Sequence, residues 1–194
     1  MQLTSKEIEN IKDSDFLVSK VKIITDIESL LSETKTKLND FLSSNSDFRN
    51  IKQHSINGKI SKGENYKNLP FVILDLPNIF EKENVFAYRT MFWWGKFFSF
   101  TLHLQGKHLD LFREKLISNF QLLLTNDIYI CINDSPWEYT FEKDNYVELS
   151  SDHLTIIKNK SFIKLSKKIP LESYNSVPTL SSEFLKQLTD ILTQ

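Results

Sequence analysis

The segment from Asn84 to Gln105 constrains the fold of this chain more than any other, because it reads as a β-hairpin. Phe98, Phe100, Leu102 and Leu104 alternate with Phe97, Ser99, Thr101, His103 and Gln105, the two-residue period of a strand with one apolar face. Val85 to Trp94 precedes that strand, also rich in aromatics, and Gly95-Lys96 joins the two. A Gly-X pair in a two-residue loop suits a type II′ turn, and the loop length fixes a register. On one face Trp93 is expected to meet Phe98, Met91 to meet Phe100, Arg89 to meet Leu102 and Ala87 to meet Leu104. On the other, Trp94 meets Phe97, Phe92 meets Ser99, Thr90 meets Thr101 and Tyr88 meets His103.

Eight aromatic residues crowd into the fifteen from Phe86 to Phe100. Burying one large apolar side chain is worth about 1.5–3 kcal/mol, against a net domain stability of about 5–15 kcal/mol. Most of them must therefore be core. Both faces carry aromatics near the turn, so one layer of helices cannot cover them all. Either helices pack on both sides, or the Trp94/Phe97 end is a contact surface or pocket wall.

Helices are expected around this hairpin. Thr4-Ser5-Lys6-Glu7 matches a capping box and predicts a short helix from Ser5 to Lys12. Asp13-Ser14-Asp15 offers a second N-cap. Leu17, Val21, Ile24, Ile27, Leu31, Leu38 and Phe41 then recur at helical spacing and predict a long helix over Asp15–Leu42. Leu17, Ile24, Leu31 and Leu38 also fall seven apart, but Lys20 and Thr34 interrupt a coiled-coil seam, so a helix lying across a sheet is preferred. Ser43 to Asn50 reads as a polar connection, and Asn57-Gly58 and Lys62-Gly63 punctuate short strands. Phe71 to Leu74 is a buried strand that Pro77 ends. After Gly106 a helix is expected over His108–Leu124, then a strand at Ile128–Ile132 and a turn at Asp134-Ser135-Pro136. A meander follows, with strands near Glu138–Glu142, Tyr146–Leu149, His153–Lys158 and Ser161–Lys167. Pro178-Thr179 opens a last helix.

The sum is an α+β fold: a mostly antiparallel sheet with a central aromatic hairpin (about 85–105), a long N-terminal helix, a middle helix and a C-terminal helix. One domain covers 1–194. About 1–45 forms a helical layer and about 56–194 the sheet, middle helix and C-terminal helix.

Charge and motif content narrow the function classes. Lysine and arginine total 24 against 25 acidic residues, a net charge of −1. That balance argues against nucleic acid and against an anionic membrane surface. No run of about 18 apolar residues occurs, and Met1 to Asp13 lacks a signal-peptide core. Cys131 is the sole cysteine, which excludes an intrachain disulfide and disfavours a Cys-based zinc site. A soluble protein in a reducing cytoplasm is expected. Only four glycines are present, and none lies in a phosphate-binding loop or a G-x-S-x-G elbow. No cofactor is expected.

Six residues stand out as candidates for a ligand site or interface: Tyr88, Arg89, Trp94, Phe97, His103 and Trp137. Arg89, one of three arginines, falls on an apolar face in the expected register. It then either closes an ion pair with Asp75, Glu81 or Glu83, or grips a carboxylate or phosphate ligand. Tyr88 opposite His103 is either an acid–base pair or an ordinary cross-strand contact. His103, His108 and Asp110 lack helical ligand spacing, so no metal site is expected. Cys131 reads as a small core residue. His54 and His153 have no companions. No catalytic residue is assigned. The preferred reading is a non-enzymatic intracellular binding or protein-interaction domain using an aromatic surface, through self-association or a protein partner. The alternative is a small-molecule-binding protein or enzyme, with a pocket near Arg89, His103 and Trp137 for a small anionic ligand.

Overall fold

Seven strands pair in the order β1-β2-β3-β4-β7-β5-β6, every neighbouring pair antiparallel. The strands are β1 (Lys59–Tyr66), β2 (Leu69–Phe80), β3 (Val85–Trp93), β4 (Phe97–Gln105), β5 (Tyr129–Cys131), β6 (Tyr146–Glu148) and β7 (Phe162–Ile169). A computed structural model describes residues 2–44 and 57–193, so most of the expected 43–50 connection, and His54, lie outside the described residues. The helices are α1 (Ser5–Lys12), α2 (Ser14–Ser44), α3 (Lys107–Ser118), α4 (Phe120–Leu124), α5 (Leu154–Asn159) and α6 (Val177–Thr193). The architecture is the expected α+β fold with N-terminal, middle and C-terminal helices.

Local chemistry explains the helix ends. The Thr4–Glu7 capping box starts α1, and Asp13 Oδ1 accepts from the Phe16 N–H at 2.9 Å as α2 begins. Pro178 sits in the first turn of α6, where its missing N–H costs nothing. Gly106 precedes α3 with φ +58; a Cβ there would stand 2.3 Å from the Glu83 carbonyl oxygen. The expected middle helix is broken at Asn119, whose side-chain amide donates to the Ile191 carbonyl of α6 at 2.8 Å.

One face of the sheet carries the helices. Phe86, Tyr88, Phe92, Phe98, Phe100, Leu102 and Leu104 bury there against α2, α3 and α6. The long helix leans on α6 as well as on β2, through Ile24, Ile27, Leu31 and Leu38.

The hairpin register differs from the expected one by a residue. Trp93 pairs with Phe97, Phe92 with Phe98, Arg89 with Thr101 and Ala87 with His103, across a three-residue loop Trp94-Gly95-Lys96. Hydrogen bonding gives the reason. The Trp94 N–H donates to the Pro70 carbonyl of β2 (3.0 Å), and the Lys96 N–H closes the turn on the Trp93 carbonyl (3.0 Å). Gly95 supplies φ +67 between them. Because strand side chains alternate, a one-residue slip exchanges the faces of β4 relative to β3. Arg89, Met91 and Trp93 therefore share a face with Ser99, Thr101 and His103, while Tyr88 lies across from Leu102.

Three other strand expectations are corrected. Pro77 does not end β2. The pairing register shifts between Asp75 and Asn78, which accommodates a residue with no N–H, and the strand runs on to Phe80. The His153–Lys158 stretch is helical, as a 3-10 turn (Ser151–His153) followed by α5. The Glu138–Glu142 stretch is not a strand. It belongs to an irregular strap between β5 and β6 that lies across the second face of the sheet. Its Tyr139 and Phe141 alternate as in a strand, but they pack on the sheet face instead of extending its edge.

Candidate functional site

Beneath the strap the polar positions of β2, β3, β4 and β7 converge. Arg89 Nε and Nη2 donate to Asp75 Oδ1 and Oδ2 at 2.7 and 2.8 Å, a bidentate pair. The guanidinium carbon lies 4.5 Å from the centre of the Tyr139 ring, and Lys164 Nζ lies 3.8 Å from the same ring. Lys164 is fully buried and donates to the Glu138 carbonyl at 2.5 Å. One strap tyrosine is thus held by two cations, and its backbone N–H donates to the Tyr66 hydroxyl at 2.7 Å.

Burial sets the electrostatics here. It drives the Lys164 ammonium down to about 7, with Arg89 acting in the same direction. It drives His103 down to about 3, with Lys164 and Arg89 repelling its charged form. His103 is neutral at physiological pH, sits edge-on to Trp137 (5.8 Å) and Phe162 (6.0 Å), and finds no hydrogen bond of ordinary geometry at either ring nitrogen. Burial raises the Cys131 thiol, which suits a packed side chain better than a nucleophile.

This locality holds Arg89 and His103 and, on the strap with half its surface exposed, Trp137, three of the six sequence candidates. Its planar cationic fork, however, is already closed on Asp75. Tyr88 lies on the opposite face, where its hydroxyl donates to the Ser181 carbonyl at 2.6 Å, so no Tyr88–His103 pair exists. Phe97 belongs to the strap side, edge-on to Trp93 (5.4 Å) and Phe141 (5.0 Å). Among the described residues no three His, Cys, Asp or Glu side chains gather as a metal would require. Sequence reasoning passed over Lys164 and Tyr139. Lys164 alternates along β7 with Ile163 and Leu165 like any solvent-facing lysine, and only the strap above it reverses that inference.

Trp94 marks a second locality, on the helix side of the hairpin end. It is half-buried, edge-on to Phe16 at 6.3 Å and to Phe92 at 6.0 Å. With Ile23, Ile27, Phe98, Leu171 and Tyr174 it lines an open apolar groove of about 490 Å³. The apolar surface continues from the groove onto the first turns of α2 through Phe16. Eight of the thirteen large hydrophobic side chains exposed among the described residues fall between Leu3 and Ile23. No residue of α1 is buried, and Ile8 and Ile11 are open to solvent. In α2, Leu17, Val18 and Val21 are 54, 70 and 68% exposed. The signal in the sequence was the consecutive run Phe16-Leu17-Val18, wider than a single helical stripe can bury.

Comparisons with protein-family models, with curated proteins and with solved structures give no match. No helix among the described residues is long and apolar enough to cross a membrane.

Proposed function

We propose that this protein is an interaction domain that docks a polypeptide partner on the apolar surface formed by α1, the first turns of α2 and the Trp94 groove. The observation that carries the reading is the concentration of exposed aliphatic and aromatic side chains between Leu3 and Ile23. Phe16, Leu17 and Val18 are consecutive, and Leu17, Val18 and Val21 stay more than half exposed, a patch of the kind that marks an interaction surface. Partial exposure of eight such side chains forgoes several kcal/mol of burial, at about 1.5–3 kcal/mol each when complete. That is a large fraction of domain stability. The closed Arg89–Asp75 pair favours this reading over an anion-binding pocket, because the donors such a ligand needs are occupied.

The test is affinity capture from the native host with the full chain and with a Val18→Glu, Val21→Glu variant, followed by mass spectrometry. Both side chains are mostly exposed, so the variant retains its fold. A defined protein retained by the wild type and lost by the variant supports the reading. An identical set retained by both overturns it.

A further inference from the structure

We infer that the polypeptide covering this surface is a second copy of the same chain, paired through the N-terminal turns of α2 in an antiparallel, two-fold arrangement. The inference rests on the docking reading above and adds the identity of the partner.

Area is the first argument. Leu17, Val18 and Val21 are 54, 70 and 68% exposed on α2, apolar surface that a paired copy can cover toward the ~800 Å² per partner of a standard stable interface. A symmetric pair needs no surface beyond the one already uncovered, since the same patch serves both subunits.

Charge is the second. Asp15, Val18 and Lys22 are spaced i, i+3, i+7 and share one side of α2, all exposed. When two such helices cross antiparallel about Val18, Asp15 of one copy stands beside Lys22 of the other, and the symmetry makes the contact twice. Lys22 is held by Asp26 at 2.6 Å along its own helix, an exposed pair that leaves the ammonium open to a second carboxylate. The segment mixes signs (Lys6, Glu7, Glu9, Lys12, Asp13 and Asp15), and the whole chain carries only −1, so copies do not repel at long range. An anionic lipid surface or a strongly charged partner would call for an excess of one sign.

Sedimentation velocity of the purified full chain, across about 5–200 μM to bracket a micromolar Kd, provides the test. The wild type is expected at twice the 22.8 kDa chain mass, dissociating on dilution. Val18→Glu with Val21→Glu is expected to be monomeric at every concentration, with unchanged circular dichroism. Asp15→Lys and Lys22→Asp are each expected to weaken the dimer by about fivefold, as two rim pairs turn repulsive. Combining them in one chain restores opposite charges across the two-fold and should recover most of the affinity. A wild type that stays monomeric overturns the inference; if capture by the same surface still depends on Val18 and Val21, the docking reading survives with a different partner. A dimer indifferent to the Val18/Val21 change also overturns it. If capture is equally indifferent, both fall.

Discussion

Lys164 makes stability depend on pH in a direction opposite to that of most salt-bridged lysines. In the folded protein its ammonium is enclosed by β7 and the strap, with one carbonyl acceptor and two ring faces for company, the Tyr146 ring at 5.2 Å being the second. The facing groups are Arg89, His103, Cys131, Tyr139, Tyr146 and Glu138. The folded-state pKa is about 7, against about 10.4 for a lysine in an unfolded chain. Between those values the unfolded chain holds a proton that the folded one has released. Unfolding then takes up protons, so stability rises with pH across this interval. Below pH 7 both states are protonated and the full penalty applies.

Taking a folded pKa of about 7, the gain between pH 6 and pH 8.5 is about 2 kcal/mol. For a domain of this length that is a rise of about 4–8 °C in Tm. The window closes above pH 9. Burial there raises Cys131 and Tyr139, and raises Tyr66 to about 12, so their ionisation favours the unfolded chain. Urea unfolding followed by tryptophan fluorescence at pH 6, 7, 8 and 8.5 measures the slope. Lys164→Met keeps the stem and removes the charge, and should abolish most of that slope. A Met variant that keeps the wild-type slope, or a wild type that is flat over this window, refutes the account of Lys164 as a desolvated cation.

Other perturbations report on neighbouring groups. His103, at about 3 when folded and about 6.5 when unfolded, should cost stability as pH falls from 6.5 toward 3; His103→Phe should shift the acid-unfolding midpoint downward in a circular-dichroism titration. Arg89→Met strands the buried Asp75 carboxylate and should destabilise by about 3–5 kcal/mol. Arg89→Met with Asp75→Leu should recover much of that loss in denaturant unfolding. Trp94→Ala should weaken self-association in sedimentation with little change in Tm. Phe97→Ala should do the reverse, because its contacts are Trp93 and Phe141 inside the strap face.

The elements were legible where one physical rule acts alone. The capping box placed α1, and apolar periodicity placed α2 and α6 to within a few residues. Alternation placed β3 and β4. The register was not legible, because Gly95-Lys96 supports a two-residue turn locally. What decides against that turn is the capture of the Trp94 N–H by Pro70, a contact 24 positions away. The strap escaped for a similar reason. Tyr139 and Phe141 carry the signature of a strand, and the backbone partners that distinguish a strand from a strap are Tyr66 and Lys164, on strands far along the chain. The candidate site followed the register: moving β4 by one residue sent Tyr88 and His103 to opposite faces and put Arg89 on the face of Thr101 and His103, while the β2–β3 pairing set Arg89 opposite Asp75.

The same register separates the two localities energetically. Trp94 leaves the hairpin on the helix side and meets Phe16, whereas Arg89, His103 and Lys164 lie under the strap on the other side of the sheet. The tightly packed layer of Phe86, Tyr88, Phe92 and Phe100 stands between them, and among the described residues no hydrogen bond or ring contact runs from Phe16 or Trp94 to Arg89, His103 or Lys164. Groups without shared partners across such a layer contribute independently, with coupling below about 0.5 kcal/mol. Lys164→Met combined with Val18→Glu and Val21→Glu should therefore give a monomer that has lost most of its pH–stability slope, each trait as large as in its parent. If instead the dimer Kd of Lys164→Met differs from wild type by more than about threefold between pH 6 and 8.5, the strap and the helix surface communicate through the sheet. The hairpin would then have to be treated as one cooperative unit rather than as a wall between two.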